Sequence, residues 1–563
     1  MSQDATPKLS PVEGIKTASR FLRGTIAEEL SQDTDHFNEE AKQLLKFHGS
    51  YQQEDRDARK NRSKAGVGKA YMMMIRLKLP GGKLTADQYL AMDDLAQKYA
   101  NGTLRLTTRQ SIQFHGVLKS NLKATIAGIN HALLSTLGAC GDVNRNVVSC
   151  PAPTGDAARL QMLKLAQDIA KHLAPRAGQA SYFDIWLNGE RQTPAETEEP
   201  IYGQTYLPRK FKVGFSLPYD NCTDILAQCL GFQCVVREGQ PIGYNMFCGG
   251  GQGMTNSKPD TYPLLGQPIC FLTPEEVVPA AEAVAKLFRD HGNRADRKRA
   301  RFKYVVHDLG VEKFRELFAR DYWKKPLAPL ADVEIVGLDL HLGWHRQLDG
   351  KYFLGISVEN GRVKDEGTLQ LRTAVRKIVS QFKASVRISC QQDLLLADVN
   401  EADRPAIDAI LAEHGVPQHE NLSMARKWSM ACPAIPTCAL AITESERALP
   451  AMVRELEREL TALGLQGEPI SVRMTGCPNG CARPYQSEIG LVGRSGDKYT
   501  VYIGGDSYGR RISTELQDLV PRDQIVPKLT KVFQAFAAER NGKELFGDFC
   551  TRVGMDRLKS LVS

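Results

Sequence analysis

The sequence predicts an α+β protein built from two related halves. Three observations carry this. At 563 residues the chain is far longer than one ordinary domain. Strand-like and helix-like segments alternate from Tyr71 onward. Three short motifs also recur in order: IRLKLPGGKL (75–84) is echoed by GISVENGRV (355–363), TLRLTTRQ (103–110) by SVRISCQQ (385–392), and CPAP at Cys150 by CPAI at Cys432. Arg105 to Arg387 and Cys150 to Cys432 share one offset, and Leu84 to Val363 falls just short of it. Ordered repetition at near-constant spacing marks a duplicated unit.

The composition narrows the class. Hydrophobic residues make up 42% and charged residues 25%, ordinary globular values that exclude a disordered, collagenous or membrane-embedded chain. Lys+Arg 73 against Asp+Glu 65 leaves +8, too mild over this length to argue for nucleic acid. The start, MSQDATPKLS, is polar and unlike a secretory leader, and the apolar run YMMMI is far short of the ~18 residues a spanning helix needs. A cytoplasmic protein without membrane contact is expected. Thirteen cysteines in such a chain read as metal or redox ligands rather than a disulfide framework.

Taken in order, residues 1–65 read as an N-terminal arm, with helical periodicity in 17–30 and 37–47. The Gln- and Arg-rich stretch 47–66 reads either as a solvated loop or as the lining of a polar cavity. Residues 71–84 read as a strand stopped at Gly81-Gly82, and 85–102 as a helix stopped by Gly102. Residues 103–116 read as one strand. Its odd positions put Thr103, Arg105, Thr107, Arg109, Ser111, Gln113 and His115 on one face, opposite Leu104, Leu106, Ile112 and Phe114. That face is either solvated or a donor-rich wall for an anionic ligand, because paired arginines grip carboxylates bidentately. YLPRKFKVGFSLP (206–218) reads as a strand that sets Lys210 and Lys212 on one side, where a bound anion would offset their repulsion. The glycines at 249–251 read as a tight bend or as close backbone approach to a large cofactor. The basic run 294–303 reads as a solvated helix face or as part of a wider constellation with Arg76, Arg105, Arg109, Arg145 and Arg209.

Four cysteines form two tight pairs, Cys432 and Cys438 (C-x5-C) and Cys477 and Cys481 (C-x3-C), separated by the stretch 439–476. Four thiolates close around one tetrahedral zinc or one [4Fe–4S] cube. Zinc knuckles favour other spacings. The Pro-, Gly- and Asn-rich turns here expose backbone N–H groups that hydrogen-bond cluster sulfurs. The other nine cysteines read as structural; Cys150 stands out because it follows Arg145 and Asn146 closely. There is no C-x-x-C-H haem attachment, no dinucleotide fingerprint and no P-loop lysine, so electrons are expected from a partner.

At these residues the chain resembles the sulfite reductase hemoprotein family, siroheme and [4Fe–4S] enzymes related to assimilatory nitrite reductases. The resemblance runs from about Phe21 to the C-terminus and rests on TGCPNGCARP with both cysteine spacings, LRLTTRQ, DVNRNV, GQTYLPRKFK and FGDFCTRVG. It implies a pseudo-two-fold duplicated nitrite/sulfite reductase fold around a central siroheme. The expected parts are an arm (1–65), a ferredoxin-like half-domain (66–137), a siroheme- and substrate-binding α/β domain (138–340), a second half-domain (341–419) and a cluster- and siroheme-ligating α/β domain (420–563).

The resemblance also implies roles. Cys432, Cys438, Cys477 and Cys481 bind the cluster, and Cys481 bridges it to the siroheme iron. Arg105, Thr107 and Arg109, with Gln113, His115, Arg209 and Arg301, hold the cofactor and its eight carboxylates. Arg76, Arg145, Lys210 and Lys212 hold sulfite for its six-electron reduction to sulfide. In the second copy Ser389 and Gln391 replace Thr107 and Arg109, so that copy is expected to be structural. Cys150 is expected either as a small core residue or as a thiol near the distal arginine, open to modification or crosslinking to a tyrosine. The donor implied is an NADPH-oxidising flavoprotein subunit or ferredoxin. Nitrite reduction to ammonia is the nearest alternative. A zinc-stabilised nucleic-acid-binding protein is the remote one, disfavoured by the cysteine spacing.

Overall fold

The computed structural model describes residues 8–176 and 199–563, with the short strands Ile185–Leu187 and Glu190–Gln192 between them. Its frame is two five-stranded antiparallel sheets of matching design. The first runs Ser50–Glu54, Tyr71–Arg76, Ile112–Val117, Leu104–Leu106, Arg362–Val363. The second runs Gly343–Arg346, Tyr352–Ile356, Leu394–Val399, Ser385–Ile388, Lys83–Leu84. Each sheet thus ends on a two-residue strand donated by the other half. Arg362 pairs with Arg105 and Val363 with Leu104, while Lys83 pairs with Arg387 and Leu84 with Val386. The exchange closes an open edge on both sheets.

Helices cover both sheets. Ala86–Tyr99 starts at a capping box formed by Thr85 and Gln88 and buries Tyr89, Met92, Asp93 and Ala96 at helical spacing. Its fully buried Asp93 takes a bidentate pair from Arg372 (2.7 and 3.0 Å) on the equivalent helix Leu371–Phe382, which locks the halves together.

The larger domains repeat a second design. Val213–Ser216 lies parallel to Leu230–Arg237, followed by antiparallel Gln240–Cys248 and Gln267–Leu272. In the C-terminal domain, Val472–Thr475 lies parallel to Ile489–Ser495, followed by Lys498–Ile503 and Thr514–Pro521. Val213↔Leu230 and Val472↔Ile489 are equivalent pairs, and the offset from Val213 to Val472 equals that from Leu230 to Ile489. The turns after the two strands agree in detail. Asp224 N donates to Asn221 O at 3.0 Å and Arg483 N to Gly480 O at 3.0 Å, and Asp224 and Arg483 both have positive φ (49° and 57°). The duplication therefore extends to the cysteine-bearing turn, an echo too divergent in side chains to read from the sequence.

Three readings need correction. Residues 103–116 are not one strand: the chain turns at Thr107–Ser111, with Gln110 at φ 51°, so the expected single donor face is split across a hairpin. The strand expected at 206–218 is Val213–Ser216, and Lys210–Lys212 is an extended lead-in bridged by Phe211 to Asn144. Ser50–Glu54, read as part of an arm and as either a solvated loop or the lining of a polar cavity, is an edge strand of the first sheet. Among the described residues no helix is long and apolar enough to cross a membrane.

Candidate functional site

The four cluster-type cysteines sit at adjacent strand ends. Parallel Ser429–Ala431 and Val472–Thr475 run side by side, so Cys432 and Cys477 leave the sheet together. Gly476 permits the close approach: a Cβ there would meet Ala434 Cβ and Thr443 O at 2.6 Å. Its N–H points at Cys432 Sγ (3.4 Å), and Asn479 Nδ2 at Cys477 Sγ (3.6 Å), donors of the kind cluster sulfurs use. Arg56 donates to the carbonyls of Cys438 and Ala441, so this part of the 47–66 stretch braces the cluster loop, while Arg59–Asn61 and Ser63–Gly66 are exposed. Burial, then the nearby Cys481 thiol, raises the pKa of Cys432, Cys438 and Cys477. The four thiols are thus neighbours. Among the described residues, though, the only group of three or more such donors within 4.8 Å of one another lies at Cys150. The wider set suits a cube better than a single ion.

Cys481 is the exposed member of the four. It lines one cavity with Lys210, Lys212, Gly250–Gly253, Arg301, Asn479 and Gly480. The lead-in segment is held by Arg145 N donating to Phe211 O (2.9 Å) and Leu230 N to Lys212 O (3.0 Å). This fixes Arg145 beside both lysines. Burial, then Lys212, depresses the Lys210 ammonium well below its ordinary pKa; burial, then Arg109, lowers Lys212 to about 7.

Arg145 donates through Nε to Gly141 O (3.2 Å) and through Nη2 to the Tyr51 hydroxyl (3.5 Å). Arg76 donates to Cys140 Sγ (2.9 Å). With its amide oxygen toward Arg76, Gln113 accepts from Arg76 Nε at 3.0 Å and donates to His115 Nε2 at 3.3 Å. Burial, then Arg362, keeps His115 neutral. Tyr51 and Cys140 were missed by the sequence reading, since neither lies in a motif that points at the arginines. Cys140, not Cys150, is the cysteine beside the distal arginines, and Tyr51 is the tyrosine near it.

Arg105 is buried and fully engaged, with Glu446 (2.9 Å), Ala431 O (2.7 Å) and Leu106 O. It anchors the first hairpin to the cluster strand. Arg109 meets Gln228 (2.6 Å) and the carbonyls of Asn146 and Val213, and its N–H meets Thr107 Oγ1 (3.3 Å). Thr108 Oγ1 donates to Cys481 O (3.1 Å), and Arg301 to Asn479 (3.0 Å). Arg209 lies 3.9 Å from Asp142. Arg483, also missed from sequence, donates to Cys390 O (3.0 Å) and pairs with Asp224 (2.5 Å).

The surroundings fit a large anionic macrocycle. Arg109 Nε, Arg209 Nε and both amide atoms of Gln252 are buried without partners. A Cβ on Gly253 would strike the Arg301 guanidinium at 1.9 Å, and one on Gly250 would strike Leu226 O at 2.2 Å. The glycine run is therefore both a bend and a close-approach wall.

Comparison with known proteins points the same way. A model of the nitrite and sulphite reductase 4Fe-4S domain matches residues 140–327 and 426–563, and one of the nitrite/sulfite reductase ferredoxin-like half domain matches 67–132 and 345–414. The chain is 42% identical to the sulfite reductase [ferredoxin] of Synechococcus elongatus, covering 99% of this chain and 92% of that protein. It is also 42% identical to the sulfite reductase [NADPH] hemoprotein beta-component of Staphylococcus haemolyticus, covering 99% and 97%. The structure of Mycobacterium tuberculosis NirA protein shares the fold, with a TM-score of 0.79 at 24% identity over 98% of both chains. A fold with two ferredoxin-like half domains, a [4Fe–4S] domain and identity at this level over nearly the whole length place the chain in the nitrite and sulfite reductase family.

Proposed function

We propose that this chain is the siroheme-binding subunit of a sulfite reductase, taking sulfite to sulfide with six electrons and six protons and releasing three waters. One observation carries the reading: Cys481, the last of the four cluster-type cysteines, opens on the cavity that Lys210 and Lys212 line. When bound, siroheme supplies an iron with an open face for the anion and the [4Fe–4S] cluster supplies it with electrons. Cys432, Cys438, Cys477 and Cys481 would hold the cluster. Thr107, Arg109, Arg209, Arg301 and Gln252 would meet siroheme carboxylates, while Arg105, Gln113 and His115 position the wall behind them.

The chain's own work is to bind a small dianion and to protonate it. Arg145 and Arg76 stay charged and clamp. The lysines are held where cations crowd, so a bound dianion restores their protons by opposite charge. Near neutral pH, Lys212 is divided between its two forms. Its Nζ can therefore give a proton to a leaving oxygen and be recharged, the condition for effective general-acid catalysis. Four cations match a dianion better than singly charged nitrite, so sulfite is the assigned substrate.

The electron donor is a separate protein, either a flavoprotein or ferredoxin. A cytoplasmic setting suits thirteen free cysteines. The test is an anaerobic optical spectrum of full-length protein made with siroheme supply, before and after sulfite, followed by sulfide release with each donor in turn. Bands that shift with sulfite, and sulfide production, are expected. Colourless protein overturns the reading.

A further inference from the structure

The turn equivalent to the cluster loop also carries cysteines. Cys150 precedes Cys432 by the offset that separates Arg105 from Arg387, and Cys222 precedes Cys481 by the offset that separates Val213 from Val472. Pro218 occupies the place of Cys477. Two thiols of the cluster set thus recur in the other half, and two other donors complete a new set around them. Cys150, Asp220, Cys222 and His341 each offer a ligand atom, all within 4.8 Å of one another and all buried. We propose that these four residues bind one zinc ion, a structural site in the pseudo-two-fold position of the iron–sulfur cluster.

Geometry is the first support. Zn–S bonds of about 2.3 Å and Zn–N or Zn–O bonds of about 2.0–2.1 Å give tetrahedral edges of about 3.3–3.8 Å. Here Cys150 Sγ lies 3.0 Å from Asp220 Oδ2 and 3.5 Å from His341 Nε2, and those two atoms are 3.1 Å apart. The 3.5 Å edge lies within that range, and the two edges to Asp220 Oδ2 are a few tenths of an ångström shorter, so an entering ion would spread the donors slightly, whereas a four-iron cube needs a wider set of thiolates. Two sulfurs, one imidazole and one carboxylate are a donor set that zinc accepts.

The outer shell is the second. A metal-bound imidazole commonly donates its other ring N–H to a carboxylate. Asp339 Oδ2 lies 3.4 Å from His341 Nδ1, and Asp339 Oδ1 accepts from His341 N at 2.8 Å. That leaves Nε2 to face the other three donors.

Charge is the third. Two thiolates and a carboxylate carry −3, and a divalent ion leaves −1. Arg159 faces that charge, with Nε 3.2 Å from Cys150 Sγ and Nη2 3.4 Å from Asp220 Oδ2, while its Nη1 also holds Asp156 at 3.0 Å. The ion would tie three distant segments together: the loop at Cys150 just after the Val148–Gly214 bridge, the turn at Asp220–Cys222, and His341 at the entrance to the second half-domain. Just beyond Cys222, Asp224 holds Arg473 and Arg483, so the staple backs the wall of the functional site.

The experiment uses full-length protein with siroheme and iron, grown with added zinc and freed of loose metal by a chelator. Elemental analysis should give one zinc per chain beside the cluster iron. Zinc-edge X-ray absorption should show two sulfurs and two nitrogen or oxygen ligands. Cys222→Ser should lower retained zinc at least tenfold with iron unchanged. His341→Cys, which keeps four ligands, should retain zinc and show three sulfurs, and it serves if the serine variant does not fold. Zinc-free protein in which Cys150 and Cys222 are recovered as free thiols or as a disulfide overturns the proposal. So does zinc that persists equally in Cys150→Ser and Cys222→Ser.

Discussion

The turn Thr107–Ser111 and its mate Ser389–Asp393 share a backbone but not a chemistry. Thr107 N donates to Ser111 O at 2.9 Å and Ser389 N to Asp393 O at 3.0 Å; Gln110 and Gln392 both sit at positive φ. Each glutamine reaches a carbonyl beside a repeated cysteine, Gln110 to Ser149 O (2.7 Å) and Gln392 to Ala431 O (3.0 Å). Between them, Arg109 is replaced by Gln391. The larger domains diverge likewise. Lys210 and Lys212 have Pro469 and Ser471 as mates, whereas Cys477 has Pro218. Backbone hydrogen bonds have fixed the shape of both halves, and the side chains have divided the labour. In the proposed function, one half keeps the cations that would meet an anion and the other keeps the thiolates that would meet iron.

Exchanging these side chains tests that division. The largest effect is expected at Cys481. Cys481→Ser should cost at least a thousandfold in sulfite reduction and alter the iron spectrum, and unchanged turnover would sink its assigned role. Next, Lys212→Ser copies the second half. It should keep siroheme absorption and lower sulfide production about 10²–10³-fold, the usual scale for one general acid. Loss of the cofactors in that variant would make the lysine structural instead. Smaller still, Arg109→Gln copies Gln391 and should lower the siroheme bound per chain severalfold, read from absorbance against iron content.

The smallest effect separates stability from catalysis. Burial raises the Asp393 carboxyl from 3.8 to about 7, and its mate is Ser111. The folded state then keeps a proton that the unfolded chain releases. Stability from this group is full below pH about 4 and is lost as the pH rises through about 7. Asp393→Asn keeps an acceptor for Val358 N–H (2.9 Å in the native chain). It should match wild type at pH about 4 and exceed it by about 4 kcal/mol at pH 8. Parallel pH dependence of the two melting temperatures would show that Asp393 does not titrate in that range.

Local signals were legible in the sequence. The cysteine spacings, the helix expected over 85–102 and each copy of the repeated motif around Arg105 and Arg387 depend on residues near one another in the chain. The break at Thr107 was passed over because alternation holds on both sides of it, although Thr108 and Gln110 put polar residues on the apolar face at the turn itself. Tyr51 beside Arg145, and Cys140 beside Arg76, are contacts between a strand and a loop far apart in the chain, which no short motif records. Cys222 escaped notice because its flanks, PYDNCTD, share only the turn geometry of PNGCARP and hardly its residues. Arg105 matched its motif, yet its partner Glu446 lies 341 residues away and turns it to holding the halves together.

The strand exchange sets a schedule for synthesis. Leu104–Leu106 leaves the ribosome long before Arg362–Val363, which completes its sheet. The gap is roughly 250 residues, or about 13–50 s at ordinary elongation rates. Through that interval the first half carries an unpaired edge, a template for wrong pairing that chaperones must cover. Cys477 and Cys481 emerge later still. Iron and siroheme therefore have no complete site to enter until late in translation, a timing that chain order sets.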